Sequence, residues 1–521
     1  MGYRSFIIPI FIFICSFFVF SANIGGLSIY SLDEAKNSEC AREMLERGDL
    51  IVPTFNYQLR TDKPPMHYYF MMLSYKLFGV NEFSARFFSS FFGALTVLIT
   101  FLFGRRYLGE KVAFLSFIVL VSSLHLSVQF HMAVPDPYLI FFINAALFSF
   151  YVGFTEKKKV FLYLFYVLMG LGVLTKGPVA VVLPSVIILL YLFITKNLSL
   201  KNILFLRPFS GLLLFLIVSL PWYVAVYLKT DGKWVYEFIF KHNIHRFSQP
   251  MEGHGGIFLL TFLFIFVGML PFSVFIIQAV KRVWKDRNDF LLFLMIFVGV
   301  YTIFFSISKT KLPNYTVPVY PSLGIMLGYY LSKIGLSGFK SIISSVVFYI
   351  FISLSAVIGL YFGIKNEPPI SDLSYLSFWF LILVFGGIFS LFFFLKRNYT
   401  MGILSLSVFS IFMGFVFFYK AFPPVDKRNP VMQMLPLIEK NSTVVYYRNF
   451  NPAFVFYLRR YIKPVEKNQI GKILSKNEKV YILTRKRYLK DFGKFENAYV
   501  LKVVKDLFEK KISALVSNRR Q

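Results

Sequence analysis

The chain is dominated by long apolar blocks that alternate with short polar loops. Most blocks run for roughly 17 to 24 residues, the length that a helix needs to cross a hydrocarbon core of about 30 Å. The pattern therefore predicts a polytopic α-helical membrane protein with about thirteen transmembrane helices. Their predicted starts lie near Phe6, Phe87, Val112, Tyr138, Phe161, Val179, Phe209, Ile257, Phe290, Tyr315, Ile342, Leu376 and Met401.

Two apolar segments need a separate interpretation. The first block, from Phe6 to Phe20, follows Arg4 as a secretory signal would, but it is long for a signal core, so we interpret it as an uncleaved anchor. The segment from Pro65 to Val80 is short and contains His67 and Lys76. It is predicted to form an amphipathic helix at the membrane interface.

The loops between the blocks alternate in charge. Every even-numbered loop is basic, for example at Lys157–Lys159, and the positive-inside rule assigns such loops to the cytoplasm. The odd-numbered loops then face outside. With an odd number of spans, the N-terminus is expected in the cytoplasm and the C-terminus outside.

From Lys420 onward the pattern changes to short Val/Ile/Tyr runs such as Thr443 to Tyr447 and Val480 to Thr484. These runs predict a small α/β domain. We expect a transmembrane domain at residues 1–420 and a soluble outer domain at residues 421–521. The tail from Lys420 contains 23 Lys or Arg and 8 Asp or Glu, yet long domains translocate largely regardless of charge.

Composition narrows the class of protein further. The chain is 57% hydrophobic with a net charge of +30, which in a soluble protein would suggest a nucleic-acid partner. Here the charge lies in membrane loops, so we expect membrane lipids as partners and no nucleic acid. Walker, GxGxxG, Asp-x-Asp and GxSxG motifs are absent from the sequence, which argues against nucleotide donors, ATP hydrolysis and serine-esterase chemistry.

Three acids on the outer side are candidates for chemistry. Asp33 and Glu34 follow the first span, where carboxylates either flank a helix or orient and deprotonate a hydroxyl. Asp136 stands between two prolines, an arrangement that suits either a turn or an acid facing a polar cavity. The sequence alone leaves both alternatives open.

Cations also occur on the outer side, where the positive-inside rule makes them unusual. Lys63 follows Asp62 and precedes two prolines, so it is well placed to hold a phosphate oxygen. Lys176 ends a span, and Lys309 and Lys311 precede Tyr315 in the loop between two later spans. Lysines that only reach toward the lipid headgroups remain the alternative for these loops.

The outer loop between residues 229 and 256 contains His242 and His245, which a helix would place on one face. Metal ligation is open at this pair, although no acidic partner is near in sequence, so we assign no metal ligands and leave a divalent metal open as cofactor. Arg246 is the stronger candidate because a planar guanidinium suits phosphate.

Several of these motifs occur in order: Asp33-Glu34, Asp62-Lys-Pro-Pro65, Asp136, Leu174-Thr-Lys-Gly-Pro178, Pro221-Trp-Tyr223, His242-Asn, Arg246-Phe and Ser308-Lys-Thr-Lys-Leu-Pro313. Together they resemble the bacterial aminoarabinose transferases of the GT-C superfamily, which also contains protein O-mannosyltransferase-like enzymes. The resemblance implies a GT-C fold of thirteen helices with an outer C-terminal domain, in the bacterial inner (plasma) membrane. It covers most of the membrane portion, with no recognised motif in the tail.

The resemblance also implies a polyprenyl-phosphate-linked sugar as donor and lipid A as acceptor. Asp33 resembles the family's catalytic acid and Asp136 its second acid, while Lys63 and Arg246 resemble ligands of the carrier phosphate. The first outer loop, about residues 30–86, is then expected to form part of the active site. Glu34 is a further catalytic candidate, and Lys309, Lys311 and Tyr315 match the family motif and are candidates for binding the carrier phosphate. Further candidates without an assigned role are Asp62, Lys176 and His242.

The expected reaction is an inverting single displacement in which cations stabilise the departing carrier phosphate and Asp33 orients or deprotonates the acceptor. A protein O-mannosyltransferase with the same kind of donor is the first alternative. A transporter or lipid flippase is the second. The unusual residues lie on one side of the membrane, and no internal repeat is visible, both of which argue against transport.

Overall fold

The computed structural model describes residues 4–245, 255–336 and 338–520. It consists of a large helical bundle followed by a five-stranded sheet, which confirms the predicted polytopic helical class. The α-helices are α1 (Arg4–Phe20), α2 (Leu32–Arg47), α3 (Met66–Phe78), α4 (Glu82–Leu108), α5 (Glu110–Val121), α6 (Leu124–Phe130), α7 (Asp136–Thr155), α8 (Lys159–Lys176), α9 (Val179–Ile194), α10 (Leu200–Phe205), α11 (Pro208–Lys229), α12 (Lys233–Tyr236), α13 (Leu260–Gly268), α14 (Ile276–Asp286), α15 (Asp289–Ile307), α16 (Tyr320–Ser332), α17 (Phe339–Lys365), α18 (Leu381–Leu395), α19 (Tyr399–Val416), α20 (Phe422–Asp426), α21 (Pro430–Met434), α22 (Ala453–Leu458) and α23 (Ile470–Leu474).

Shorter helical segments of other types connect these elements. Two are π-helical, Glu237–His245 and Phe417–Ala421. The 3₁₀ segments are Phe272–Phe275, Pro313–Val319, Ile334–Leu336, Pro368–Phe380, Leu435–Leu437, Lys467–Gln469 and Lys486–Asp491.

Eight helical segments in the described part of the chain are long and apolar enough to cross a membrane, or ten if each of two bent pairs is one span. The first bent pair joins Glu110–Val121 to Leu124–Phe130 at 71°, and the second joins Leu260–Gly268 to Phe272–Asp286 at 115°. The count of thirteen therefore stays a prediction. The eight segments are Glu82–Leu108, Asp136–Thr155, Lys159–Lys176, Leu200–Lys229, Asp289–Ile307, Phe339–Lys365, Pro368–Leu395 and Tyr399–Asp426, and the shorter apolar helices are Ile7–Phe20 and Val179–Ile194.

Apolar side chains lie on the outside of the bundle as well as inside. Helix α7 is almost entirely buried and forms the centre, whereas α11 has most of its leucines and its Phe209 exposed. Exposed leucine and phenylalanine over whole helices are unfavourable in water and favourable in lipid. The burial pattern thus agrees with a bundle that is solvated by a membrane.

The first outer loop contains α2, a short hairpin of β1 (Thr54–Phe55) and β2 (Gln58–Leu59), and α3. Helix α3 buries His67 and Ser74 and exposes Leu73, Leu77 and Phe78. Its apolar exposed face is the one that a lipid surface would cover. This arrangement supports the predicted interfacial helix.

The chain ends in a mixed sheet with strand order β4-β3-β5-β7-β6. The runs predicted as strands are confirmed, the first at the predicted residues and the second one residue longer. Strand β3 pairs in parallel with β4 and β5, while β7 pairs antiparallel with β5 and β6. The strands are β3 (Thr443–Tyr447), β4 (Lys463–Val465), β5 (Val480–Arg485), β6 (Tyr499–Lys505) and β7 (Ile512–Ser517).

Candidate active site

A cavity of about 580 Å³ lies between the first outer loop, the start of α7, the ends of α8 and α15 and the π-helical segment. Its walls are mainly apolar, from residues such as Leu139, Val179 and Phe305. An apolar cleft with few convergent polar groups is the usual form of a ligand site. Six of the residues singled out in the sequence line it: Asp62, Lys63, Asp136, Lys176, His242 and Tyr315.

Asp62 and Lys63 occupy the loop that leads into α3, and both are half-buried. Burial opposes ionisation of Asp62, but the positive charges of Arg60 and Lys63 outweigh it and lower the pKa of this carboxyl to about 2. Asp62 is therefore ionised at neutral pH. The loop brings alternating charges to the rim of an otherwise apolar cavity.

Arg60 was not singled out from the sequence, and its position is one of the clearest features of the site. Its side chain is buried, 3.4 Å from the Asp62 carboxylate and 6.0 Å from the ring centre of Tyr68. Burial opposes its charge, yet Tyr68, Asp62 and Asp33 help to raise the pKa of Arg60 above its ordinary value. The only sequence signal was its place two residues before Asp62.

Asp136 and Lys176 form a buried ion pair, with 2.6 Å between the Lys176 Nζ and the Asp136 Oδ1. Asp136 is the first residue of α7 and Lys176 the last of α8, positions where the helix dipoles favour their charges. The Asn314 amide donates to the same Oδ1 at 2.9 Å, and the Lys176 ammonium lies 5.0 Å from the Tyr315 ring centre. Asp136 thus faces the cavity at a helix start, and Asn314 is a further residue that the sequence did not reveal.

The end of α8 depends on a glycine. Gly177 has φ +82°, a conformation that other residues rarely adopt, and a Cβ there would lie 2.6 Å from the Phe238 ring. The Thr175-Lys176-Gly177-Pro178 motif therefore ends α8 at Lys176, and this residue lies in the cavity wall.

His242 lies in the π-helical segment, with its Nε2 3.7 Å from Asp62 Oδ1 and 3.4 Å from the Thr61 hydroxyl. Within residues 4–245, 255–336 and 338–520, no three His, Cys, Asp or Glu side chains are grouped so that they could hold a metal. Arg246, the other candidate from this loop, lies outside the described residues.

Asp33 and Glu34 are adjacent in the first turn of α2 but have different surroundings. Asp33 is exposed and close enough to contribute to the charge state of Arg60. Glu34 is buried, and its two oxygens accept from Arg86 at 2.7 and 3.0 Å and from the Ala133 amide at 3.0 Å. Neither Asp33 nor Glu34 is among the residues that line the cavity, and the Glu34 carboxylate is occupied by its ion pair with Arg86.

Lys309 and Lys311 also differ. The Lys311 ammonium donates to the carbonyl oxygens of Ser306 at 2.9 Å and Ser308 at 2.6 Å, which caps the end of α15. Burial and the neighbouring Lys309 lower the pKa of Lys311. Lys309 is exposed, and neither lysine is among the side chains that line the cavity.

Comparison with known proteins agrees with this geometry. Residues 62–224 match the family model of dolichyl-phosphate-mannose-protein mannosyltransferases. An uncharacterized protein of Aquifex aeolicus is 31% identical over 65% of this chain and 67% of its own length. The undecaprenyl phosphate-α-4-amino-4-deoxy-L-arabinose arabinosyl transferase of an Enterobacter species is 31% identical over 59% of this chain, and this match spans 56% of the enterobacterial protein.

The crystal structure of ArnT from Cupriavidus metallidurans bound to undecaprenyl phosphate shares the fold. It is 18% identical, with a TM-score of 0.83 over 100% of this chain and 99% of that chain. The ordered motifs, the fold and the relatives lead to one conclusion. The chain has the fold of ArnT and is similar in sequence to the aminoarabinose transferases and to the mannosyltransferase family model.

Proposed function

We propose that this enzyme transfers an aminoarabinose-like sugar from a polyprenyl-phosphate carrier to lipid A at the outer face of the inner membrane. The observation that supports the proposal is that Lys63, Lys176, Asp62 and Asp136 line the same cavity. This cavity lies beside the interfacial helix α3. Its apolar walls suit a polyprenyl chain and its charged rim suits a sugar phosphate. The Enterobacter and Cupriavidus relatives, whose names specify undecaprenyl phosphate, support the choice of carrier.

In the proposed reaction, an acceptor oxygen attacks C1 of the sugar while the bond from C1 to the carrier phosphate oxygen breaks. The configuration at C1 inverts, and the carrier leaves as a phosphate monoester with one more negative charge on the oxygen. Lys63, and Arg246 from the neighbouring loop, would stabilise that charge. Preorganised cations at a developing anion typically contribute a few kcal/mol each.

Asp33 would act on the acceptor. A lipid A phosphate is already ionised near neutral pH, so Asp33 would need only to orient it and no proton would be transferred. With a hydroxyl acceptor, Asp33 would take the proton as the new bond forms. Arg60, close to both Asp33 and Asp62, would favour the ionised form of Asp62 beside the donor phosphate.

The proposal includes a membrane arrangement. Thirteen spans, with the N-terminus in the cytoplasm, would put the cavity and the C-terminal unit, residues 421–521, on the periplasmic side. Residues 1–420 would form the transmembrane domain, with the first outer loop as one wall of the active site. Labelling of cysteine variants would test that arrangement. A thiol reagent that does not cross the membrane should label Lys63→Cys and Lys510→Cys from the outside and Lys158→Cys from the inside.

The function is tested by incubating the purified full-length enzyme, in nanodiscs, with radiolabelled polyprenyl-phosphate aminoarabinose and lipid A. Label is expected in lipid A with a matching mass increase. Label in protein after incubation with polyprenyl-phosphate mannose and membrane proteins would replace this proposal by a protein O-mannosyltransferase, which the matched family model keeps as the second candidate.

Two variants test the cavity as the donor site. Lys63→Ala should lose most transfer while it inserts and unfolds like the wild type. The matched control is Lys76→Ala, because Lys76 is exposed on α3 and does not line the cavity. Full activity of Lys63→Ala, or equal loss in both variants, would refute the phosphate-binding role of Lys63. Adding EDTA, with readdition of Mg²⁺ or Mn²⁺, tests whether Asp62 and His242 need a divalent ion.

A further inference from the structure

A second cavity, of about 490 Å³, lies at the β4 edge of the C-terminal sheet. It is lined by the start of β3, by β4 and by the residues of α23 and just beyond it. Its charged lining is entirely cationic, and no carboxylate is found among its described lining residues. The four cations are Arg460, Lys463, Lys472 and Lys476.

Arg460 is held in place by the main chain. Its Nη1 donates to the carbonyl oxygens of Lys440 at 3.2 Å and Ser442 at 2.8 Å. Its Nε and Nη2 are buried and have no hydrogen-bond partner among the residues that the structure describes. A fixed guanidinium with unused N–H groups is costly alone and is well suited to a planar or tetrahedral oxyanion.

Part of the surplus positive charge of the C-terminal unit lies at this cavity. Elsewhere in the C-terminal unit, Lys467 pairs with Asp491 at 2.8 Å and Lys479 with Glu439 at 2.7 Å. At the cavity, Lys476 pairs with Glu478, but neither Lys463 nor Lys472 forms an ion pair with any residue in the described ranges. The cavity therefore presents more positive charge than its own side chains neutralise.

The cavity adjoins the first outer loop. The Asn56 amide donates to the Ile462 carbonyl, and its oxygen accepts from the Ile462 amide, both at 2.9 Å. Arg459 donates to the Val80 carbonyl at 2.6 Å, between α3 and α4. A molecule bound at β4 would therefore lie beside the same loop that contains Asp33 and Lys63.

We infer that the β4 cavity binds a phosphate group of the acceptor lipid and holds that lipid next to the active site. The inference rests on the proposed function, because lipid A is an acceptor that carries phosphate. Arg460, Lys463 and Lys472 supply the positive charge that attracts the phosphate. The 580 Å³ cavity then binds the donor, and the β4 cavity binds the acceptor.

The test is the double variant Lys463→Gln/Lys472→Gln in the full-length enzyme in nanodiscs. The KM for lipid A should rise about tenfold, which corresponds to about 1.4 kcal/mol for the two charges together. The KM for the donor and the kcat should not change. The control is Lys494→Gln/Lys510→Gln, which removes two exposed lysines of the same unit that do not line the cavity.

An unchanged KM for lipid A in the Lys463/Lys472 variant would overturn the inference, and so would an equal rise in the control. Protection of the wild type against thermal unfolding by millimolar inorganic phosphate, without any change in acceptor KM, would assign the cavity to free phosphate and overturn the lipid assignment. If lipid A is not a substrate at all, the proposed function fails. Binding of lipid A nanodiscs compared with dephosphorylated lipid A nanodiscs then still tests the cavity, and equal binding would refute it.

Discussion

The adjacent acids Asp33 and Glu34 provide the sharpest test of the site, because their surroundings predict that one variant loses turnover and the other loses stability. Asp33→Asn changes an exposed carboxylate close to Arg60, and Glu34→Gln changes a buried one that is paired with Arg86. We expect Asp33→Asn to fold normally and lose turnover. We expect Glu34→Gln to lose stability, with transfer per folded molecule largely kept.

The magnitude for Glu34→Gln follows from its contacts. Removing one partner of a buried ion pair typically costs about 3–5 kcal/mol. Glutamine keeps one oxygen that can accept from the Ala133 amide, and Arg86 keeps its bonds to three carbonyl oxygens between Ile24 and Ser28. The expected cost is therefore at the lower end, about 3 kcal/mol. For a chain of this length that unfolds as one unit, this lowers the Tm by about 3 °C.

The assay measures thermal unfolding in detergent and transfer by the folded fraction for both variants and for Glu34→Asp. Glu34→Asp keeps the charge but shortens the reach, so it should lie between the wild type and Glu34→Gln in Tm. A Glu34→Gln enzyme with wild-type Tm and no turnover would refute our reasoning and make Glu34 a catalytic group. An Asp33→Asn enzyme that transfers at the wild-type rate would remove Asp33 from the mechanism.

Three other predictions follow from the site. Lys311→Met should lower stability by about 1–3 kcal/mol, because it leaves buried carbonyls at the end of α15 unpaired, while Lys309→Met should not, and equal Tm values for the two would refute the capping role. Burial and the charges of Arg60 and Lys63 lower the pKa of His67, so below about pH 6.5 the unfolded chain binds a proton that the folded chain refuses. His67 should therefore contribute a loss of stability of up to about 1.4 kcal/mol per pH unit below about pH 6.5. His67→Gln should reduce the measured slope by that contribution, whereas His245→Gln, at an exposed position, should leave the slope unchanged. In a double-mutant cycle, Asp136→Asn and Lys176→Met should couple by about 1–3 kcal/mol in thermal stability, and additive effects would show that their 2.6 Å contact stabilises nothing.

The sequence identified the membrane bundle because apolar length is a strong signal, but it could not show where a span bends. The block that starts near Val112 is one hydrophobic run, and the structure divides it at 71° between α5 and α6. Similarly, the block near Ile257 breaks at 115°. Hydropathy sums residues along the chain and contains no information on direction, so a broken span and a straight one look the same.

Site residues could be predicted from the sequence where a motif and its position in the chain were sufficient. They were missed where the role of a side chain depends on the residue that it contacts in the fold. Asp136 and Lys176 were found because charges are rare between apolar spans. The sequence could not show that Glu34 and Asp33 have different surroundings. Successive residues on a helix point in directions about 100° apart, and Arg86, the partner of Glu34, is distant in sequence. Lys311 was grouped with Lys309 because the sequence does not show that its ammonium turns back onto its own chain.

The first outer loop explains how charges far apart in sequence come to share one cavity. The hairpin between Asp33 and Lys63 is fixed on α2, because the Glu43 carboxylate accepts from the Thr54 hydroxyl at 2.6 Å and from the Tyr57 amide at 3.0 Å. Its turn is tied to the C-terminal unit through the paired amides of Asn56 and Ile462.

The far end of the same loop is held by α12, where the Trp234 indole N–H donates to the Arg60 carbonyl at 2.8 Å. The Tyr57, Asn56 and Trp234 tethers are hydrogen bonds between a side chain and the main chain, and such bonds fix the path of a loop that has little regular structure of its own. This loop is therefore positioned jointly by the bundle and by the C-terminal sheet. That joint positioning gives the sheet a structural role in holding Asp62 and Lys63 at the cavity, separate from any ligand that its β4 cavity binds.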